Sequence, residues 1–84
     1  MSYDKVTQVK SRIIIGMKQA LKAMKNGEVS EVYVAADADQ YIIHKVEELA
    51  KLLEVPYHRV DSMKKLGAAC GIDVGASTVA IKKE

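Results

Sequence analysis

Apolar residues fall along this chain in helical stripes and in short continuous runs. Met17, Ala20, Leu21 and Met24 fall at i, i+3, i+4 and i+7, which predicts a helix with one buried face between Gly16 and Gly27. Lys18, Lys22 and Lys25 fall at i, i+4 and i+7 on another face, with Gln19 in the first turn. Asn26-Gly27 supplies the stop, because glycine tolerates the left-handed conformation that ends helices. A second helical stripe, Ile42, Val46, Leu49, Ala50 and Leu53, predicts a helix over 41–53, with Lys45, Glu47, Glu48 and Lys51 outside it. Asp39 is its expected cap, and Val55-Pro56 breaks it. Two shorter helices are expected: one over 3–10 behind Ser2, and one over 64–69 behind Ser62, ending near Cys70-Gly71.

The remaining apolar runs are short and rich in β-branched residues, which predicts strands. Residues 11–15 end in three β-branched isoleucines, and 31–36 form a nearly continuous apolar run, the mark of a strand buried on both faces. Residues 57–60 and 77–81 supply two more, with 72–76 a loop before the last. Strands alternating with helices of about ten residues predict an α/β domain with helices on both faces of a small sheet of about four strands. The sheet is expected to be mixed, because the first strand is short. Loops at one end of such a sheet tend to carry function. Those at Gly16, Asp39 and Gly75 are expected to converge.

At 84 residues, 49% of them apolar, the chain has the size and composition of one domain (1–84) with one modest core. The runs Ile13-Ile14-Ile15 and 32–36 are far too short to span a bilayer, and the first residues lack a signal-peptide apolar region. A cytoplasmic location is therefore expected. The single Cys70 has no partner for an internal disulfide and does not complete a zinc site. The net charge is only +2, but it is unevenly spread. Residues 1–26 set Lys5, Lys10, Arg12, Lys18, Lys22 and Lys25 against Asp4 alone, a balance of +5. Residues 27–54 carry a balance of −5, and residues 55–84 return to +2. A basic side and an acidic side are expected, and only the basic side suits phosphate.

Catalysis is not expected. Cys70, His44, His58, Asp37 and Asp39 are the polar candidates, and neither histidine is placed beside the cysteine. No P-loop, GxSxG or HExxH motif occurs. Neither a metal nor a cofactor site is expected, and no small-molecule substrate. Four tyrosines are the only aromatics, which disfavours a stacking sheet of the RNP type or an OB-fold surface. A lysine-striped helix with a planar amide in its first turn suits a polyanion whose edges carry hydrogen-bonding groups. A rival of another class stays open: a protein-interaction module that docks a basic partner through the acidic 28–54 segment.

Three ordered segments together resemble a known family. They are residues 15–22 (Ile-Gly-Met-Lys-Gln-Ala-Leu-Lys), 34–39 (Val-Ala-Ala-Asp-Ala-Asp), and a third set made of Val55-Pro56-Tyr57, Leu66 to Ile72 and Val79-Ala80-Ile81. The family is that of kink-turn-binding ribosomal proteins, of the archaeal L-seven-Ae and eukaryotic L-thirty-e type, and the likeness is nearest to the bacterial YbxF-type members. It covers nearly the whole chain. It implies a three-layer α/β/α sandwich with a small, mostly four-stranded mixed sheet. It also implies a non-catalytic partner for structured RNA, ribosomal RNA or a riboswitch, with the ribosome as one setting.

In the family a helix start bearing Gly-x-Asn-Glu-x-x-Lys docks on tandem sheared G·A pairs. The matching residues here are Gly16, Lys18, Gln19 and Lys22. Gln19 keeps a carbonyl acceptor for a guanine N–H but loses the charge of Glu, and Lys18 offers only donors where Asn offers both kinds. Ile72, Val74 and Ala76 match the family's apolar RNA-touching loop. Asp39 and Ile43 fall where the family lines a pocket for a protruding base. Many relatives carry a lysine after the serine that caps the short helix. Met63 stands there in this chain, and Lys64 follows it.

Overall fold

The computed structural model of the protein describes residues 12–83. The elements run β1 (Ile13–Ile15), α1 (Met17–Lys25), β2 (Val29–Ala35), α2 (Gln40–Leu52), β3 (Tyr57–Val60), α3 (Met63–Ala69) and β4 (Thr78–Lys82). The helix expected over 3–10 lies outside the described residues. The other expected elements are all present, with ends moved by a residue or two. β2 starts at Val29 rather than at residue 31, because Val29 pairs with Lys82 across an irregular step in the ladder before Glu31.

The strand order is β1-β4-β2-β3. β1 pairs antiparallel with β4, placing Ile13 opposite Ile81 and Ile15 opposite Val79. β2 also pairs antiparallel with β4, and parallel with β3. Parallel neighbours need a long crossover, and α2 supplies it. The sheet is therefore mixed, as expected.

Val32, Tyr33, Val34 and Ala35 are consecutive and all buried. Successive strand residues face opposite ways, so both faces of β2 are covered, as a three-layer α/β/α sandwich requires. Thr78 to Ile81 in β4 are buried in the same way. α1 packs against α2 and β4, burying Ala20, Ala23 and Met24 while Met17 and Leu21 sit half-buried beside the core. α2 buries Ile43, Val46 and Ala50. Two expectations change here. Leu53, placed on the buried stripe, is 40% exposed at the helix C-cap, and Ile43 takes a place in the core instead. Cys70 is buried as a small apolar residue, as expected.

The three helices among the described residues end in the same way. The residue after the C-cap is left-handed (Gly27, Glu54 and Gly71), and its N–H and the next one bond back into the last turn. For α1 these bonds run from Gly27 to Met24 and from Glu28 to Ala23, both at 3.0 Å. Among the described residues no helix is long and apolar enough to cross a membrane.

Candidate nucleic-acid interface

The carboxyl ends of β1, β2 and β3 and the amino end of β4 meet at one edge of the molecule. Backbone hydrogen bonds define the meeting. Gly16 donates its N–H to Thr78 O at 2.8 Å, Ala35 donates to Ser77 O at 2.9 Å, and Ala36 donates to Val60 O at 2.7 Å. The loops opening at Gly16, Asp37 and Asp61 and the one closing at Ser77 therefore share one edge, and the expected convergence is present.

Gly16 turns the chain from β1 into α1. Its φ of 103° and ψ of 149° lie in a region that is essentially glycine-only. A Cβ built there would find nothing within 4 Å, so the backbone conformation demands glycine while the space above it is open. No side chain caps α1, and no acidic residue lies in its first turn. The first intrahelical bond runs from Ala20 N to Gly16 O at 3.0 Å. The N–H groups of Met17, Lys18 and Gln19 thus carry the partial positive charge of an uncapped helix start. Lys18, Gln19 and Lys22 are all exposed beside it. Such a surface suits an anion approached edge-on.

The apolar loop before β4 is sharper than expected. Val74 is 69% exposed, a large apolar side chain offered to solvent. Ile72 is half-buried and packs against the core, and Ala76 is buried. Only Val74 of the three presents itself fully. Two glycines seat this loop. A Cβ on Gly67 would collide with the Val74 carbonyl oxygen, and one on Gly75 would come within 3.2 Å of Met63 Cβ. Their signal in the sequence was the spacing Gly67, Gly71, Gly75, but a spacing does not say which backbone each must admit.

The other expected site residues divide. Asp39 is exposed and its carboxylate accepts from Tyr41 N at 2.8 Å, so it caps α2. Ile43 is 3% exposed, held in the core rather than at the surface. Lys64 is exposed on α3, whereas Met63 at the preceding position is half-buried against the core. Ile15, not among the expected site residues, is 37% exposed beside Gly16 and adds apolar surface to this edge. Asp37 was a candidate for catalysis in the sequence. Its Oδ1 instead accepts from Met63 N at 2.8 Å, bridging two of the converging loops.

The acidic segment is less free than its charge suggests. Arg59 donates to both carboxylate oxygens of Glu47, at 2.7 and 3.1 Å, and these bonds hold the Glu47 carboxyl below the usual carboxylate range. Glu31 accepts from the Tyr33 hydroxyl at 2.8 Å and lies 3.5 Å from His58 Nε2. Burial, reinforced by that bond and the Glu31 charge, raises the Tyr33 pKa and keeps its phenol protonated. Glu48 lies 3.2 Å from His44.

Comparison with known proteins finds relatives along the whole chain. A model of the "Ribosomal protein L7Ae/L30e/S12e/Gadd45 family" matches residues 1–84. The "RNA-binding protein BH0128" of Halalkalibacterium halodurans is 55% identical over 83 residues, covering 99% of this chain and all of that one. The "RNA-binding protein YbxF" of Geobacillus stearothermophilus is 57% identical over 81 residues, 96% of this chain and 98% of its own. Among solved structures, the "Giardia lamblia 15.5kD RNA binding protein" superposes with a TM-score of 0.92 at 30% identity, over 98% of this chain and 71% of that one. A likeness of this extent, from end to end of the chain, makes it a member of the ribosomal protein L7Ae/L30e/S12e/Gadd45 family.

Proposed function

We propose that this chain is a non-catalytic, cytoplasmic RNA-binding protein that grips kink-turns, duplexes bent by a three-nucleotide bulge beside tandem sheared G·A pairs. One observation carries the reading. The uncapped start of α1, its exposed Lys18, Gln19 and Lys22, and the exposed tip at Val74 belong to loops that converge on one edge of the sheet. Relatives and a solved neighbour that are named as RNA-binding proteins support it.

The physics follows from the target. Regular RNA duplexes hide their major groove, so proteins read distorted elements, splayed bases and backbone shape. A kink exposes purine edges, and the Gln19 amide offers an acceptor and donors to them. Gly16 lets the backbone come close. Lys18 and Lys22 offset phosphate repulsion where two strands crowd, a contribution that falls with salt. Val74 packs against an unstacked nucleotide. Differential affinity for the kinked form draws an open RNA into it. Ribosomal RNA and riboswitches both contain the structured elements required.

A rival reading, docking of a basic protein through 28–54, is weakened by the engagement of Glu47, Glu31 and Glu48 within the chain. Titration of a hairpin RNA carrying the bulge and tandem G·A pairs, against a copy with those pairs replaced, tests the proposal. The disrupted RNA is expected to bind about tenfold more weakly or worse, since each base-edge contact supplies roughly 1–3 kcal/mol. Equal affinity for both would overturn kink-turn recognition. A folded Gln19→Ala, Lys22→Ala double variant with undiminished affinity would move the interface elsewhere.

A further inference from the structure

We infer that Asp37 is a positioning residue whose carboxylate, through the Met63 backbone, holds the 72–76 loop so that Val74 stands ready for RNA. The inference rests on the proposed RNA contact at Val74. Asp37 lies two residues beyond β2, in a loop whose base is pinned by the Ala36 to Val60 bond. Its Oδ1 accepts from Met63 N at 2.8 Å across 26 residues of sequence. Met63 opens α3, so its N–H has no acceptor within the helix. Ser62, the helix's own cap, serves Lys65 N at 3.1 Å instead. The far side of the same residue carries the loop. Met63 O accepts from Ala76 N at 3.0 Å, and Gly75 lies against Met63 Cβ and its carbonyl. One residue's backbone is therefore gripped by Asp37 and itself grips the loop.

A second argument is electrostatic. A bare carboxylate on a surface that meets phosphate repels its ligand. Three of the acids at this edge are occupied, while Asp73 is exposed in the loop itself: Asp39 caps α2, Asp61 lies 3.2 Å from Lys65 Nζ, and Asp37 holds Met63. If repulsion were the whole of Asp37's effect, removing the charge would tighten RNA binding. A latch predicts the reverse, and predicts that an acceptor without charge suffices.

The test compares Asp37→Ala, Asp37→Ser and Asp37→Asn in the full chain, using the kink-turn hairpin described above. Alanine and serine, which do not reach Met63 N, are expected to weaken binding about tenfold, and asparagine to restore it to within about twofold. Asp37→Ala combined with Val74→Ala is expected to cost little more than either alone, while its combination with Lys22→Ala is expected to be additive. Amide exchange at Ala76 in the free protein is expected to quicken with alanine and serine and to stay slow with asparagine. Tighter binding by all three variants, additivity with Val74→Ala, or unchanged Ala76 exchange would overturn the latch. A wild-type protein that does not distinguish the two RNAs would instead remove the kink-turn reading. The latch would then stand or fall on Ala76 exchange alone.

Discussion

Gly16 concentrates the local physics of the proposed interface. Its φ of 103° is available to glycine at little cost, and a side chain there is strained even though nothing crowds it. Gly16→Ala is expected to lower stability by about 1–3 kcal/mol in urea unfolding, with RNA affinity reduced further because the α1 start moves. Unchanged stability would mean that the turn adopts another conformation in solution. Gly67 is a contrasting case. Its backbone angles are ordinary, and the need for glycine comes from the Val74 carbonyl seated on it. Two glycines can thus serve one surface for unrelated reasons, one torsional and one steric.

The helices show how far local signals govern an element. α2 begins at its N-cap Asp39 and ends at its C-cap Leu53, but the left-handed residue that follows is Glu54, at a φ of 58°, where α1 and α3 use glycine. A side chain in that conformation costs roughly 1–2 kcal/mol, partly offset in a glycine variant by its greater freedom when unfolded. Glu54→Gly is therefore expected to stabilise the protein by about 0.5–1 kcal/mol, a rise in melting temperature of a few degrees for a domain this small. Calorimetry showing a fall would mean that the Glu54 side chain contributes more than its backbone costs. Since Glu54 lies at the far end of α2 from its Asp39 cap, RNA affinity is expected to stay as it was.

Charge acts across the whole molecule. Lys18, Lys22 and Lys25 of the basic N-terminal third lie along α1, and the acidic middle third is largely spent on internal partners. The Arg59 and Glu47 pair ties the crossover helix to the strand it leads into. Hydrogen bonding to Arg59 lowers the Glu47 pKa in the folded state, so its contribution to stability is present above the unfolded carboxylate pKa and is lost as pH falls through the folded one. Glu47→Gln is accordingly expected to be less stable than wild type at neutral pH, with the gap closing below about pH 4. Urea unfolding across that range checks it, and a gap independent of pH would assign the loss to packing instead of charge.

Periodicity alone set most of the architecture. The stripe through Met17, Ala20, Leu21 and Met24 placed α1, and the run ending at Ala35-Ala36 marked a central strand, because burial of an amphipathic face has a period that residues display directly. The exposed Lys18, Gln19 and Lys22 were legible for the same reason. Contacts between distant segments were not legible. Nothing local told Ile43 from Ile42, which differ by one step around a helix whose inward direction depends on what packs there. Nor did the loop residues reveal that Ile72 and Ala76 turn inward while Val74 turns out, or that Asp37 reaches Met63. Strand pairing brought those loops to one edge. Pattern along a chain records which faces avoid water, whereas the partner that each face or carboxylate meets is chosen only when remote segments close on one another.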